Sequence, residues 1–279
     1  MNPQALEPLF RHFSLSADVL FSGILCRRAE YGGNPSQGQL HLLRSGDLKL
    51  TDESGRSRSY DQPTLLFYPR GARHRMLGST RARPDLLCAT IEFGGSANPL
   101  MDALPDLVEL PLERIPALHD TLKLLFAEAD GQESGRGPAI NRLFEYLSIL
   151  LLRFVVAERL IDGHFLAGLS DSRLRKVLNA VHDRPQHSWT LASMAALANM
   201  SRARFADHFR QIVGQTPLDY LTGWRISVAQ SLLRRGQSVQ WVAPAVGYSS
   251  TVAFSRVFTE RVGCSPAKWQ PGGSRDPGA

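Results

Sequence analysis

Four side chains in the N-terminal part of the chain have the chemistry to respond to a metal ion or an oxidant. They are Cys26, His41, His74 and Cys88. Imidazole nitrogens and thiolates bind zinc and copper ions, and a thiol is also readily oxidised. A free cysteine is more commonly a small buried hydrophobic side chain, and an organic ligand could fill the same region. The sequence therefore leaves a small organic effector, an oxidant and a metal open as signals.

A second set of side chains, in the C-terminal part, has the chemistry to read base pairs. Arginine donates two hydrogen bonds to a guanine edge, and a carboxylate accepts one from a cytosine amino group. Arg256 lies among small side chains and is predicted to reach a guanine, with a phosphate contact as the alternative. The residues predicted to contact DNA are Arg202, Ala203, Ala206, Asp207, Arg210, Thr251, Val252, Ser255 and Arg256.

These residues fall on two short helices, each of which needs a partner helix to hold it. Apolar residues at helical spacing in 191–198 predict one helix, Ser201 can cap a second, and Gly214 can end it. The same order returns after Ser238, so that Ser201 and Ser250, at the starts of the two second helices, are 49 residues apart. Each pair has the organisation of a helix-turn-helix unit.

One continuous helical pattern, from about Leu218 to Arg235, separates the two units. About eighteen residues at about 1.5 Å each make a rod of roughly 27 Å. Together with the widths of the flanking units, this rod could place two recognition helices in successive major grooves, about 34 Å apart. Pro244 lies inside the first helix of the second unit, where its ring and missing N–H predict a weaker or bent helix.

The segment from Leu191 to Trp269 resembles the DNA-binding domain of the AraC/XylS family of transcriptional regulators. The resemblance is carried by the patterns GxTPxxYLxxxRxxxAxxLL at 214–233 and GYSSxxxFSRxFxxxxGCSPxxW at 247–269. The sequence departs from the family at 269–270, where an aromatic residue and an arginine are usual, and at Asp207, where a basic or amide side chain is frequent. The resemblance implies double-stranded promoter DNA as a partner and RNA polymerase as a further one.

The N-terminal part has a β-type pattern, in which short apolar runs are cut by Gly, Pro, Asn, Asp and Ser. Such spacing predicts an antiparallel sandwich or small barrel. The predicted strands are Leu20–Cys26, Gln39–Leu43, Leu48–Thr51, Leu65–Tyr68, Arg73–Leu77 and Leu86–Phe93, with a turn at 52–55. Pro69, Gly71 and His74 follow the second cupin motif, and residues 18–112 resemble the cupin-type sensor domain of AraC-family regulators.

A catalytic cupin would need metal ligands that this chain lacks. The first cupin motif has two histidines one residue apart, followed by a glutamate. Here Gln39 and His41 are in the histidine positions, and Ser45 or Gly46 is in the position of the glutamate. Two imidazoles without a carboxylate make a poor catalytic metal site. The sequence therefore predicts no catalytic residue and no cofactor, and a cupin-type metalloenzyme with a helical appendage is the alternative.

Charge is distributed unevenly along the chain, whose net charge is +6. Residues 1–170 contain 18 Lys and Arg against 20 Asp and Glu, whereas residues 171–279 contain 14 against 6. Positive charge confined to the half with the helix-turn-helix patterns favours a polyanionic partner. An RNA-binding or architectural protein is less well supported, because no aromatic platform for stacking bases accompanies the basic residues.

Cysteine usage and hydropathy argue against other classes of protein. The three cysteines are far apart and form no CxxC pair, which argues against a zinc finger and against a disulfide framework. The N-terminus has no signal-peptide pattern, and the longest apolar run, 149–152, is far too short to cross a membrane. The sequence predicts a cytoplasmic protein with no membrane partner.

Two helices, Ile115–Ala129 and Ala139–Ile161, are predicted between the β region and the DNA-binding region. The apolar positions of the second cover more than one narrow stripe, so this helix either packs only on its own β domain or also forms a subunit interface. The resemblance favours a homodimer through residues 139–161. Residues 163–170 are the predicted linker, and 171–182 is a predicted packing helix.

These patterns predict an α+β chain of two domains. The first is an antiparallel β cupin-like barrel with helices, and the second is an all-α domain with two helix-turn-helix units joined by a long helix. The predicted divisions are a sensor domain at 1–112, a helical dimerisation region and linker at 113–168, and a DNA-binding domain at 169–279. The predicted function is a sequence-specific transcriptional regulator whose N-terminal domain senses a signal.

Overall fold

The computed structural model describes residues 15–26, 28–34, 37–93, 101, 103–158, 160, 167–168 and 171–269. The chain divides into two units, one formed by residues 15–93 and 104–160 and the other built around residues 171–269. We call them the β unit and the helical unit. No helix among the described residues is both long and apolar enough to cross a membrane.

The β unit contains two antiparallel sheets. Their strands are β1 (Leu15–Ile24), β2 (Arg28–Tyr31), β3 (Gly38–Ser45), β4 (Leu48–Asp52), β5 (Ser57–Tyr60), β6 (Thr64–Tyr68), β7 (His74–Gly78), β8 (Asp85–Phe93) and β9 (Val108–Pro111). The first sheet has the order β1-β8-β3-β6-β9, and the second has the order β2-β7-β4-β5. The predicted antiparallel β class is confirmed.

The six predicted strands are present, although β1 begins five residues earlier than predicted and ends at Ile24, which leaves Cys26 outside it. Three strands were not predicted from the sequence, namely β2, β5 and β9, each of which has four residues and at least one charged side chain. These strands are too short for an apolar period to identify them, and they pair with β7, β4 and β6. The turn predicted at 52–55 joins β4 to β5.

The strands β3 and β8 are buried on both faces. One face of β8 contributes Leu86 and Cys88 to the core between the sheets, together with Leu43 and Tyr68. The side chains that alternate with them are buried as well, on the side of the sheet where helices pack. This arrangement determines the side on which Cys88 lies, which the alternation within β8 alone does not reveal.

The helices of the β unit cover the first sheet. Two 3₁₀ turns, at Leu112–Arg114 and Pro116–Leu118, precede α1 (His119–Asp130) and α2 (Arg136–Ala157). The helix α2 was predicted to start at Ala139, but it starts three residues earlier because its proline lies in the first turn, where no N–H is needed. It packs on β1, where the side-chain oxygen of Asn141 accepts a hydrogen bond from the Val19 N–H at 2.9 Å.

The helical unit consists of short capped helices around one long one. They are α3 (Ser172–Asp183), α4 (Leu191–Leu197), α5 (Arg202–Val213), α6 (Pro217–Arg234), α7 (Val239–Ala245) and α8 (Thr251–Val262). A side-chain oxygen caps the N-terminus of each, from Asp171, Thr190, Ser201, Thr216, Ser238 and Ser250 respectively. The predicted all-α class of this region, with two helix-turn-helix units joined by a long helix, is confirmed.

The two helix-turn-helix units, α4–α5 and α7–α8, are not identical repeats. The caps of their first helices, Thr190 and Ser238, are 48 residues apart, whereas the caps of their second helices, Ser201 and Ser250, are 49 apart. The turn of the second unit therefore contains one additional residue. Residues of α5 and α8 that are 49 positions apart occupy equivalent places.

Pro244 lies in α7, one residue before the helix ends, and its side chain is exposed. Ala196 holds the equivalent place in α4. A proline in a helix interior costs about 3 kcal/mol, because the carbonyl four residues earlier loses its partner. Close to the helix end the cost is smaller, and we expect Pro244→Ala to stabilise the helical unit by about 1 kcal/mol.

Chemical unfolding followed by tryptophan emission measures this change, because all four tryptophans of the chain lie in 189–269. The reciprocal substitution Ala196→Pro is the control and is expected to destabilise. A loss of stability in Pro244→Ala would show instead that the proline is part of the native packing of α7.

Candidate nucleic-acid interface and barrel site

The second helix of each helix-turn-helix unit has one buried face and one open face. Phe205 and Phe209 of α5 are buried, as are Phe254 and Phe258 of α8. Most of the nine residues predicted to contact DNA lie away from these phenylalanines, but Arg202 and Thr251 come three residues before Phe205 and Phe254 and share their side of each helix. Six are exposed and three, Ala206, Thr251 and Ser255, are half-buried. The structure thus places seven of the nine on the open faces of α5 and α8.

The two open faces carry different chemistry at equivalent places. Asp207 of α5 and Arg256 of α8 are 49 residues apart and therefore equivalent, yet they have opposite charges. Among the described residues, neither side chain forms an ion pair or a hydrogen bond. A guanidinium group suits a guanine edge and a carboxylate suits a cytosine amino group. The two open faces therefore present different hydrogen-bonding groups at this place.

Polar contacts hold both recognition helices in place. His208 of α5 contacts the cap of α3 through an Nε2–Asp171 Oδ2 distance of 2.9 Å. Arg261 of α8 forms an ion pair with Asp219 of α6 at 2.9 Å. The Thr216 hydroxyl, followed by the Arg261 guanidinium, lowers the pKa of the Asp219 carboxyl. Neither pair was predicted from the sequence, because the partners are about forty residues apart.

Arg225, in the middle of α6, positions the turn of the second unit. Its guanidinium donates hydrogen bonds to the carbonyls of Pro185 and His187, both at 2.8 Å, and lies over the ring of Tyr248. Burial lowers the pKa of this side chain. Gly247 has a φ of +88°, and a Cβ there would come within 2.6 Å of the Arg225 guanidinium. The turn therefore requires a glycine at this position.

In the β unit, His41 and His74 face each other across the space between the two sheets. Their Nε2 atoms are 2.9 Å apart, and His74 Nδ1 is 2.8 Å from the carbonyl oxygen of Ala72. A neutral imidazole carries one N–H. His74 therefore donates from Nδ1 to Ala72, and His41 donates from Nε2 to His74. This leaves Nδ1 of His41 as a buried acceptor without a hydrogen-bond partner among the described residues.

The pair is enclosed by aromatic rings and a thiol. Tyr68 stacks on His74 at 3.9 Å and Tyr31 lies 4.7 Å from His41, measured between ring centroids. Cys88 is directly opposite His41 in the pairing of β3 with β8. Burial lowers the pKa of His74 to about 4 and that of His41 well below its usual value, and the neighbouring His74 lowers the latter further. Burial also raises the pKa of the Cys88 thiol to about 12.

Cys26 does not join this group. It is exposed after the end of β1, with its Sγ 3.7 Å from the carbonyl oxygen of Ile24. Ile24 pairs with Asp85 in an antiparallel ladder, so Cys26 is level with the second residue before Asp85. Cys88 is about five residues, or roughly 16 Å, further along that strand. Thiols at that separation cannot form a disulfide without backbone movement. The structure thus brings together three of the four predicted sensing residues.

The donor set in the barrel does not fit a cupin metal centre. Two nitrogens on one tetrahedral zinc ion are about 3.3 Å apart, whereas the Nε2 atoms of His41 and His74 are at hydrogen-bond distance, 2.9 Å. Gln39 is buried beside them and offers only an amide. No three His, Cys, Asp or Glu side chains that could hold a metal ion come together in the described ranges.

Comparisons with known proteins match two parts of the chain to two different family models. A family model described as Cupin matches residues 4–157, and a family model described as Helix-turn-helix domain matches residues 194–271. The chain is 28% identical over 235 residues to the RCS-specific HTH-type transcriptional activator RclR of Escherichia coli (strain K12), which covers 82% of this chain and 83% of that protein.

Two further similarities extend over most of the chain. An uncharacterized HTH-type transcriptional regulator of Haemophilus influenzae is 30% identical over 241 residues, covering 84% of this chain and 80% of that protein. Among solved structures, ToxT from Vibrio cholerae O395 is similar with a TM-score of 0.42 and 16% identity, covering 92% of this chain and 96% of that chain.

Proposed function

This chain belongs to the AraC/XylS family of transcriptional regulators, and we propose that the open faces of α5 and α8 bind the major groove of promoter DNA. The observation that carries the proposal is the pair of recognition helices with buried phenylalanines on one side and unpaired charged groups on the other. The connecting helix α6 has 18 residues, about 27 Å, which suits two helices in successive grooves. The positive charge of residues 171–279 suits the same partner.

The proposed domain division is a sensor domain at 1–112, a helical region and linker at 113–168, and a DNA-binding domain at 169–279. A regulator of this kind acts where the DNA is, in the cytoplasm, and RNA polymerase is its expected further partner. The rival proposal of a cupin-type metalloenzyme needs a metal centre, which the two imidazoles of the barrel do not supply. We therefore propose a regulator without catalytic activity.

Selection of bound sequences from a random duplex library tests this proposal. The full chain is expected to enrich two half-sites whose centres are about 10 base pairs apart. Its affinity for the enriched duplex is expected to fall steeply with salt, because phosphate contacts release counterions. If no sequence is enriched over bulk DNA, the proposal of sequence-specific binding fails.

We place the sensing site in the barrel interior, around His41, His74 and Cys88. Two buried polar atoms there, Nδ1 of His41 and the hydroxyl oxygen of Tyr68, have no hydrogen-bond partner among the described residues. Such atoms are rare unless a ligand or water contacts them, which supports this location. Affinity for the duplex obtained by selection is the quantity to measure. Binding by the wild type and by Cys88→Ser, with and without a mild oxidant or a divalent metal, separates those two signals from a small organic effector.

We further propose a homodimer through residues 139–161. The helix α2 buries one face in its own unit, but Leu143, Leu150 and Phe154 form a half-buried stripe beside Tyr146, which is 52% exposed. Tyr146→Asp is therefore expected to shift the sedimenting species from dimer to monomer. The substitution Leu77→Asp, at an exposed leucine of β7, is the control and should leave the dimer intact. A monomeric wild type would contradict the proposal.

A further inference from the structure

Val252 is the second residue of the recognition helix α8, and 78% of it is exposed. Among the described residues, no other large hydrophobic side chain is exposed to this extent. The opposite face of the same helix is fully buried through Phe254 and Phe258. A branched apolar side chain exposed to this extent contributes little to the packing of the helical unit and is free to contact a partner.

The neighbours of Val252 indicate what that partner is. Ser255 and Arg256 follow three and four residues later and therefore share its face of the helix. The first residues of a recognition helix are the ones that meet base edges in the major groove. Most of the groups that base pairs present there are hydrogen-bond donors and acceptors, whereas thymine also presents an apolar C5 methyl group.

We propose that Val252 recognises the C5 methyl group of a thymine in the half-site bound by α8. This inference rests on the proposed function and identifies the chemistry that α8 reads. Arg256 lies one helical turn away, about 5–6 Å along the axis, which corresponds to about two base pairs. The thymine is therefore expected about two base pairs from the base pair that Arg256 contacts.

The equivalent place in α5 belongs to Ala203. Its single methyl group extends less far than the branched valine side chain and buries less apolar surface. The two half-sites should therefore differ in their dependence on a thymine methyl group, with the stronger dependence in the half-site of α8.

Uracil substitution isolates the methyl group, because deoxyuridine differs from thymidine only in lacking it. In the duplex selected by the full chain, each thymine is replaced singly by deoxyuridine and the dissociation constant is measured. The affinity of the wild type is expected to fall about fourfold when one particular thymine is replaced, which corresponds to the loss of one buried methyl group. Val252→Ala is expected to bind the intact duplex more weakly and to show no difference between thymine and uracil at that position.

The control is Val262→Ala, the same truncation at the last residue of α8, about 15 Å further along the helix. It should keep the fourfold dependence on the methyl group. If uracil substitution weakens binding at no thymine, or if Val252→Ala keeps the full dependence, the inference is wrong. Failure of the wild type to select any duplex would instead refute sequence-specific binding itself.

Discussion

Replacing Arg256 with alanine is expected to lower the preference for one base pair by about 5-fold to about 150-fold, the equivalent of losing one bidentate contact. The guanidinium has no partner within the described residues, and small or half-buried side chains flank it on α8. Its geometry suits the O6 and N7 atoms of guanine. Affinity for unrelated sequences, which depends on phosphates, should change much less.

The measurement is a repeat of the duplex selection with Arg256→Ala, together with dissociation constants for single-base variants of the wild-type site. Arg235→Ala supplies the control, because this exposed arginine follows α6 and lies on neither recognition helix. It should leave base preference unchanged. A uniform loss on all sequences, with a salt dependence reduced by about one ion, would show that Arg256 contacts a phosphate.

The helical unit could be predicted well because its signals are local. Ser201 and Ser238 are good caps at the starts of helices, and Gly214 ends α5 with a φ of +80°. Such signals depend on a few neighbouring residues, so they survive without knowledge of the fold. Leu197 belongs to the apolar pattern of 191–198 but is 39% exposed, because a periodic pattern does not show where the surface that covers the helix ends.

The β unit was harder to predict, since much of it depends on pairing between distant segments. The strands β2 and β5 are short and polar, and they pair with β7 and β4. His41 and His74 face each other because the two sheets pack together. Sequence spacing shows neither their 2.9 Å contact nor the side on which Cys88 lies. The sequence signals for this site were the two cupin-like motifs, which contain His41 and His74.

Arg225 is the arginine of the family pattern at 214–233, but its contacts were missed for a different reason. It lies within a helical pattern of apolar residues, where an arginine is normally assigned to the solvent side. Its role appears only when the carbonyls of Pro185 and His187, forty and thirty-eight residues away, are placed at 2.8 Å. A long side chain in the middle of α6 supplies hydrogen-bond donors to both carbonyls.

The β unit is expected to lose stability in mild acid because of its histidine pair. In the unfolded chain both imidazoles take up protons as the pH falls through about 6.5. In the folded barrel His74 stays neutral down to a pKa of about 4, and the pKa of His41 is also well below its usual value. The unfolded state therefore binds more protons between about pH 6.5 and pH 4, so the free energy of unfolding falls as the pH falls.

From pH 7 to pH 5 this amounts to about 2 kcal/mol for His74, with a further loss of the same sign from His41. Tryptophan emission cannot follow it, because every tryptophan lies in the helical unit. Hydrogen–deuterium exchange of peptides from β3 and β7 reports on the barrel, and it should show markedly faster exchange at pH 5 after correction for the intrinsic rate.

The double substitution His41→Leu/His74→Leu tests the cause of this effect. It replaces both hydrogen-bonding partners with apolar groups, a change that can be nearly neutral at pH 7, and it should remove most of the acid sensitivity of β3 and β7. The exposed His119 at the start of α1 supplies the control, and His119→Gln should behave as the wild type does. If the barrel of the wild type is equally stable at pH 7 and pH 5, the two imidazoles are not held neutral in the folded state.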